Sequence, residues 1–243
     1  MDFPLFCNYT KDDFKASLSF SSPHSASDED KDWMFELVKT NMRDMYLEAG
    51  WGWDDGEKRR ELVDDDARYI VVKDESGKKI AFAHFRFLLE GVHEVLYLYE
   101  LQLEPEAQRK GLGRRIMQVL ELIAGKNNMK WVMLTVFTAN TPGMSFYTDK
   151  MKYVVDEISP SRSEVMKAHA YEILSKCIDV DLRKAYALSA GEKAVMNAGP
   201  TRRRTVDSIL AWAKAREEAD AKAKEDAVLE DGAAAAAKGE SAE

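Results

Sequence analysis

The sequence predicts a mixed α/β (α+β) fold, in which a central sheet is flanked by helices. Three strand-like runs follow one another between residues 67 and 103 with short turns between them, which is typical of antiparallel strands. A helix-like run then leads into 131–137 (WVMLTVF), a continuous apolar strand suited to a sheet covered on both faces. Because a helical crossover joins parallel strands, the sheet is predicted to be mixed.

The composition agrees with a folded core and limits the function. Of the 243 residues, 45% are hydrophobic and 10% aromatic, so global disorder is not expected. The formal net charge of -8 argues against generic nucleic-acid binding, which needs a basic face, and is compatible with a positively charged peptide as substrate. The histidines and cysteines show no metal-ligand spacing, so no metal site is predicted.

The same sequence features bear on the cellular compartment. The first residues lack the basic start and sustained apolar core of a signal peptide. No run approaches the roughly 20 apolar residues that a membrane helix needs. Cys7 and Cys177 are far apart and form no disulfide framework, so we expect both to be reduced and the protein to be intracellular.

The N-terminal half predicts two helices before the strands. Residues 1–27 are expected to be an extension whose aromatic side chains could pack on the domain. Ser27, followed by three acids, predicts the start of a helix that ends at Gly50. Residues 57–66 are charged and predict a short exposed helix. The predicted antiparallel strands are 67–73, 80–89 and 95–103.

The second half alternates helices and strands. An amphipathic run at 114–124 predicts the crossover helix, and Pro142 predicts the first turn of a helix from 140 to about 151. The further predicted strands are 153–158 and 171–176. Beyond these, 205–219 could form a helix, and 221–243 is rich in Ala, Lys and Glu and predicts solvated helix or disorder. The predicted organisation is an extension (1–27), one domain (28–176) and a C-terminal extension (177–243).

A glycine-bearing loop joins the strand 95–103 to the crossover helix. Its residues are Gln108, Arg109, Lys110, Gly111, Leu112, Gly113 and Arg114. The first amides of a helix have no intrahelical partner and the macrodipole makes that end electropositive, so a phosphate can bind there. The two glycines leave the approach open. Two glycines at a helix start by chance are the alternative, but the spacing Gln-x-x-Gly-x-Gly is more specific than a lone Gly-x-Gly.

This spacing resembles the Gln/Arg-x-x-Gly-x-Gly/Ala motif of the GCN5-related (GNAT) acetyltransferases, and the element order resembles the GNAT acyl-CoA N-acyltransferase fold. Within that superfamily the chain resembles the N-terminal acetyltransferase D (NatD) family, which acetylates the N-terminal amine of histones. The resemblance spans roughly residues 30–176. The segments that carry it are Met45-Tyr46 with Trp51-Gly52-Trp53, 81–87, 95–103, 132–137 and 171–175.

The resemblance implies a direct transfer from acetyl-CoA with Glu100 as the general base. The alternative for Glu100 is a strand carboxylate in a structural hydrogen bond. In a regular strand Glu100 lies on the face opposite Tyr97 and Tyr99, and a β-bulge would re-aim these side chains. Tyr147 occupies the spacing of the tyrosine that in many GNAT enzymes acts as the general acid, so it is a candidate for that role.

The resemblance also assigns binding residues. It implies backbone hydrogen bonds to the pantetheine arm for Leu101, Gln102 and Leu103. It implies pyrophosphate contacts for Gln108 and for the loop from Arg109 to Arg114. It implies a bond to the cofactor arm for Asn140. The implied peptide-site residues are Tyr46, Trp51, Glu90, Tyr97, Tyr99, Thr135 and Tyr171. The alternative is core packing for the tyrosines and an ordinary strand position for the threonine.

One departure from the family pattern concerns the substrate. Leu88 stands where the family has an acid, and leucine cannot attract a cation, although Glu90 is retained two residues on. The expected substrates are histone tails beginning Ser-Gly-Arg-Gly, and the expected protein is a monomer of the cytoplasm and nucleus that binds no nucleic acid or membrane directly. The alternatives are a GNAT enzyme for another N-terminus, a lysine or a small amine, and an acyl-CoA-binding or partner-binding module with little catalysis.

Overall fold

A mixed eight-stranded sheet forms the centre of the molecule. The computed structural model describes residues 6–91, 93–162 and 169–182. The strands are β1 (Asn8–Lys11), β2 (Phe14–Ser21), β3 (Arg68–Asp74), β4 (Lys79–Glu90), β5 (His93–Leu103), β6 (Trp131–Phe137), β7 (Val154–Val155) and β8 (Tyr171–Cys177). Their order across the sheet is β1-β2-β3-β4-β5-β6-β8-β7, which confirms the predicted mixed α/β fold class.

Four helices flank the sheet in the described part of the chain. They are α1 (Asp28–Glu48), α2 (Asp55–Leu62), α3 (Leu112–Lys126) and α4 (Thr141–Ser145), which continues into a π-helical turn (Phe146–Lys150). Side-chain oxygens cap three of them, because Ser27, Asp54 and Asn140 accept hydrogen bonds from the backbone N–H groups of Asp30, Glu57 and Gly143. Such caps satisfy amides that the helix itself leaves unpaired, so the helix starts are encoded locally.

The parallel pairing of β5 with β6 is short. Residues Val95–Leu98 pair with Trp131–Leu134, joined by the crossover helix α3, which confirms the predicted parallel connection. Beyond Leu98 and Leu134 no register between these two strands continues, although β5 runs to Leu103 and β6 to Phe137. The two strands therefore separate at their carboxyl ends, and this gap is next to the glycine-bearing loop.

A β-bulge interrupts β5 beside this gap. His84 on β4 pairs with Glu100, whereas the next residue, Phe85, pairs with Leu98, so Tyr99 is the extra residue of β5. A bulge changes the direction of the side chains that follow it. This is the irregularity that the sequence analysis considered for the Tyr97–Glu100 segment.

Two apolar clusters cover the two faces of the sheet. Alternate residues of β4 divide between them, since Ala81, Ala83 and Phe85 belong to the cluster that also contains the buried side of α3. Phe82 belongs to the other cluster, together with the buried residues of α1 and Leu62 of α2. The alternation predicted for this strand therefore places each face against its own helices.

The first strands correct the predicted domain boundary. The segment expected to be an extension contributes β1 and β2, and Ala16–Ser21 pairs with Tyr69–Asp74 of β3. Ala16 and Leu18 are buried between exposed polar neighbours, so the alternation of a half-buried strand was present in the sequence. The sheet consequently begins before the predicted start of the domain at residue 28.

The end of the fold also differs in detail. The predicted strand 153–158 is only two residues long, and β8 inserts between it and β6. The helix α2 is not simply exposed, because Lys58 and Leu62 are buried. The predicted helix at 205–219 and the tail at 221–243 lie outside the described residues. Over the described residues no helix has the length and apolar character needed to cross a membrane.

Candidate active site

Glu100 lies buried on β5, one residue after the bulge. Its side chain is only 4% exposed, and its two carboxylate oxygens have different partners. Gln102 Nε2 donates to Oε2 at 2.8 Å, and Lys58 Nζ of α2 lies 3.4 Å from Oε1. Burial raises the pKa of Glu100, while the positive charge of Lys58 acts in the opposite direction. Glu100 is therefore a carboxylate with increased proton affinity, as a general base requires.

Lys58 connects Glu100 to two further groups. Its Nζ donates to Glu61 Oε1 at 2.7 Å and to Tyr46 Oη at 2.8 Å. Burial would lower the pKa of Lys58, but the two carboxylates outweigh this effect and raise it, so the ammonium stays charged. Neither Lys58 nor Glu61 was predicted to belong to the site. Their only sequence signal was the (i, i+4) spacing of Lys58 with the apolar Leu62, which places both on one helix face.

Two tyrosines line the gap between β5 and β6. The hydroxyls of Tyr97, which is still paired with Met133, and of Thr135, which follows the last paired residue of β6, are 2.5 Å apart. The rings of Tyr97 and Tyr99 are 5.4 Å apart. Burial raises the pKa of Tyr97, so its hydroxyl is protonated at neutral pH. The structure thus brings together three of the predicted peptide-site residues.

Behind Tyr99 lie two side chains from β4, a histidine and an arginine. The His84 ring stacks on Tyr99 at 4.9 Å, and the Arg86 guanidinium lies 4.5 Å above the same ring. Arg86 also donates to the carbonyl of Glu61 at 2.6 Å. Burial first and the nearby Arg86 second lower the pKa of His84 to about 3, so the imidazole is neutral. Neither residue was predicted to belong to the site.

An aromatic wall forms the opposite side of the candidate site. It consists of Tyr46, Trp51, Trp53, Phe137 and Tyr171, with ring centroids 4.9 to 5.8 Å apart between contacting pairs. Trp51 is 44% exposed and contacts both Phe137 and Tyr171. Of the two tryptophans in the Trp51-Gly52-Trp53 segment, Trp53 packs against the core around α1, whereas Trp51 presents an exposed ring. Phe137 was missed.

Glu90 and Leu88 lie at the far end of β4. Glu90 pairs with His93 at the turn into β5, and its charge contributes to the raised pKa of Tyr97. Leu88 lies opposite Val95 in the same ladder. The retained acid is therefore electrostatically coupled to the tyrosine that lines the gap, while the leucine adds no charge there.

The backbone of β5 beyond the bulge points into the gap at alternate residues. Glu104 N donates to Ile80 O at 2.9 Å, and bonded pairs in an antiparallel ladder alternate. The backbone groups of Gln102 therefore face β4, and those of Leu101 and Leu103 face away from it. Leu103 O accepts from the side chain of Gln108 at 3.2 Å. Of the three residues implied for the pantetheine arm, Leu101 and Leu103 are oriented for it.

The glycine-bearing loop adopts left-handed backbone conformations at the start of α3. Gly111, with a φ of 84°, is the N-cap, and no side chain caps the helix there. Arg109 also has a positive φ of 60°. Leu112 is buried in the core, so it can contribute only its amide, whereas Arg109, Lys110 and Arg114 are exposed cations. Uncapped amides, a helix dipole and three cations fit a pyrophosphate.

The N-terminal strands contact this loop. Tyr9 Oη donates to the carbonyl of Lys110 at 2.7 Å, and a Cβ on Gly111 would lie 2.6 Å from the same Oη. Arg115 donates to Asn8 O at 3.3 Å. The sequence offered no signal for these contacts, because the partners are about one hundred residues apart.

Asn140 and Tyr147 lie on the other side of the gap, around α4. Asn140 Oδ1 accepts from Gly143 N at 2.9 Å and caps the helix, which leaves its amide group as the donor toward a ligand. Tyr147 lies in the π-helical turn and packs edge-to-face on Phe146. Burial, with the charge of Glu100 second, raises the pKa of Tyr147. The hydroxyl is therefore protonated at neutral pH, as a general acid must be.

Residues 28–153, more than half of the chain, match the model of the family described as the Acetyltransferase (GNAT) family. NAA60 from Arabidopsis thaliana, solved with a bisubstrate analogue, aligns at 12% identity and a TM-score of 0.50 over 67% of this chain and 100% of its own. A GNAT-family protein from Desulfovibrio desulfuricans aligns at 12% identity and a TM-score of 0.51 with the same coverage. Another from Staphylococcus aureus aligns at 6% identity and 0.51, again with the same coverage.

At these identities the likeness to solved structures concerns the fold alone. The match to the family model covers α1 through α4, including the bulged β5, the gap and the glycine-bearing loop. With the separated strands and the uncapped start of α3, it shows that the chain belongs to the GNAT family of acetyltransferases.

Proposed function

We propose that this acetyltransferase modifies the N-terminal α-amine of histone tails that begin Ser-Gly-Arg-Gly, as the resemblance to NatD implies. As a GNAT acetyltransferase the chain takes its acetyl group from acetyl-CoA. The observation that carries the proposal is the buried carboxylate of Glu100, which lies after the bulge of β5 and beside the gap between β5 and β6. A carboxylate of raised pKa at this place can take a proton from an incoming ammonium group.

The residues of the chain divide the reaction between them. When bound, acetyl-CoA supplies the thioester whose acetyl carbon accepts the amine. Glu100 takes the proton of the amine, directly or through a water molecule, so that the nitrogen lone pair can form the new C–N bond. As the C–S bond breaks, Tyr147 donates its proton to the departing sulfur, and the second proton that the nitrogen gives up as the amide forms restores the Tyr147 hydroxyl. No acyl group is carried by the protein in this direct transfer.

The groups that would bind acetyl-CoA are the backbone of Leu101 and Leu103, which faces away from β4, the uncapped amides of α3 and the amide group of Asn140. They act by position, because amides held in place lose little freedom when a ligand binds. The cations Arg109, Lys110 and Arg114 add charge attraction for phosphate. In this proposal Gln108 supports the site indirectly, by holding the carbonyl of Leu103.

The aromatic wall and Glu90 support a peptide substrate. In this proposal Tyr97, Tyr99 and Tyr171 contact the residue that carries the amine, and serine followed by glycine would need little space there. Glu90 could receive the arginine of the substrate through a charged hydrogen bond. The net charge of -8 favours approach of a basic tail. We place the enzyme, as a monomer, in the cytoplasm and nucleus, without direct contacts to nucleic acid or membrane.

The test is acetylation of a synthetic peptide beginning Ser-Gly-Arg-Gly with acetyl-CoA, with the modified atom located by mass spectrometry. We expect acetylation at the N-terminal amine. The matched control is the same peptide with a blocked N-terminus, which should not react. Products on lysine side chains, with an unmodified N-terminus, would contradict the proposal.

Leu88 favours a second candidate, a GNAT enzyme for another amine. An acid at this position would help to hold a cationic substrate, and leucine cannot do so. A panel of peptides with different N-termini, lysine peptides and polyamines separates the candidates. Faster turnover of a peptide with an apolar residue near its start than of Ser-Gly-Arg-Gly would favour the second candidate.

A further inference from the structure

Lys58 lies between two carboxylates that differ in their surroundings. Its Nζ is 2.7 Å from Glu61 Oε1 and 3.4 Å from Glu100 Oε1. The Glu61 side chain is 30% exposed, whereas Lys58 and Glu100 are 7% and 4% exposed. The nearer carboxylate is thus the more hydrated one. The cluster holds one positive and two negative charges, so Lys58 can balance only one carboxylate at a time.

This imbalance matters because burial penalises an uncompensated charge. When Glu100 is ionised, Lys58 compensates it in the interior and Glu61 is partly compensated by water. When Glu100 is protonated, Lys58 and Glu61 form a neutral pair at the shorter distance. In both protonation states of Glu100, therefore, a carboxylate compensates the buried positive charge of Lys58.

We infer that Lys58 and Glu61 are positioning residues that set the proton affinity of Glu100: Lys58 holds the carboxylate ionised before the amine arrives, and Glu61 holds Lys58 after the proton has moved. The inference rests on the proposed role of Glu100 as the base. In this step the proton passes from the substrate ammonium to Glu100, and the charges of Lys58 and Glu61 do not change. The positive charge that enters with the amine is thereby accommodated without a new buried charge.

The other groups packed around the cluster do not replace these two. Tyr46 of α1 accepts from Lys58, and Gln102 of β5 donates to Glu100. His84 of β4 stays neutral and Tyr147 stays protonated, because burial moves the pKa of each away from its charged form. Arg86 of β4, beside His84, is paired with Asp64 at 3.1 Å. The charges that remain to tune Glu100 are those of Lys58 and Glu61.

The deciding experiment is a direct titration of Glu100 in two variants whose effects should be opposite. Protein carrying ¹³C-labelled glutamate is titrated by NMR, and Glu100→Gln identifies the Glu100 carboxyl signal. Lys58→Met removes the compensating cation and should raise the pKa of Glu100 by about one unit or more. Glu61→Gln removes the competing carboxylate, so that Lys58 pairs with Glu100 alone. This variant should lower the pKa of Glu100 by about one unit. The acidic limb of the kcat profile against pH should move the same way.

Two controls accompany the titration. Glu57→Gln removes the same charge from the same helix at an exposed position and should leave the pKa of Glu100 unchanged. Lys58→Arg keeps the cation and should keep the pKa closer to that of the unsubstituted protein than Lys58→Met does. If Lys58→Met does not fold, as judged by circular dichroism, Glu61→Gln alone decides the question.

The outcomes separate the inference from the proposed function. Shifts in the same direction, or no shift in folded Glu61→Gln protein, would overturn the inference while leaving Glu100 as base. Full turnover of Glu100→Gln would remove Glu100 as base, whatever the titration shows. Opposite pKa shifts, with matching movements of the kcat profile, support both.

Discussion

Glu100 combines two features that a surface carboxylate lacks: nearly complete burial and a partner at each oxygen. Burial alone would favour the neutral acid, and Lys58 alone would favour a weakly basic carboxylate. The two effects together leave a group that is able to exchange a proton with an amine. In the proposed mechanism, the proton affinity of Glu100 therefore depends on a balance of opposing effects rather than on one contact.

The first prediction concerns this residue directly. Glu100→Gln keeps the shape and the bond from Gln102 but removes the proton acceptor, so kcat should fall about 10² to 10⁴-fold. Binding of CoA, measured by isothermal titration calorimetry, should be unchanged because the loop and α3 are untouched. Unaltered turnover would exclude Glu100 as the base.

A second prediction concerns the hydroxyl pair between β5 and β6. Thr135→Val removes the partner of the buried Tyr97 hydroxyl and should cost about 1 to 3 kcal/mol of unfolding free energy in urea. The double variant with Tyr97→Phe leaves no unpaired group and should be less destabilised than the sum of the two single variants. Strict additivity would show that the two hydroxyls do not interact.

At the scale of elements, the hairpin of β1 and β2 contacts the glycine-bearing loop and the start of α3. Tyr9 binds the carbonyl of Lys110, and Arg115, in the first turns of α3, donates to Asn8. Lys110 Nζ also lies 4.4 Å over the ring of Phe14. A segment that resembled an extension in sequence thus holds the loop in the left-handed conformation at Gly111.

The third prediction tests this support. Tyr9→Phe removes one hydrogen bond to the loop, worth about 1 kcal/mol, and should weaken CoA binding about fivefold in calorimetry. The kcat at saturating acetyl-CoA should stay the same, since no reacting group is touched. Ser19→Ala is the matched control. Ser19 lies on the same hairpin, and its hydroxyl donates to the Val71 carbonyl of β3, away from the loop. Equal effects of both variants would contradict a specific role for Tyr9.

For the whole molecule, the neutral buried His84 links stability to pH. Its pKa is lowered from 6.5 to about 3, so the unfolded chain binds the proton that the folded protein excludes. The contribution of His84 is therefore present above pH 6.5 and is lost as the pH falls from there toward 3. Glu100, whose pKa is raised, acts in the opposite sense, since protonation favours its folded form.

The fourth prediction follows from this sign. Between pH 6.5 and 5, His84 should reduce the unfolding free energy by about 2 kcal/mol, since each unit corresponds to about 1.4 kcal/mol. His84→Gln should flatten this part of the curve, measured by urea unfolding at a series of pH values. The comparison cancels the contribution of groups common to both proteins. Parallel curves for the two proteins would contradict a neutral His84.

Most of the sheet was predictable because its strands are marked by local patterns. The predicted run 80–89 lies within β4, and 131–137 coincides with β6. The helix predicted at 114–124 was found, but α3 begins two residues earlier, at Leu112. The strand β2 was missed although its apolar residues alternate with polar ones. The position of β8 between β6 and β7 was not predictable, because strand order depends on packing and not on local pattern.

The sequence by itself determined the GNAT acetyltransferase family, through the resemblance of several segments, and the position of the glycine-bearing loop between β5 and α3, because such motifs are properties of neighbouring residues. Only the tertiary structure decided that Lys58, 42 positions away, is buried against Glu100, and that Tyr9, 101 positions away, holds Lys110. The physical reason is that such contacts arise when the two faces of the sheet are covered. The helix expected to be exposed then places its lysine inside the site.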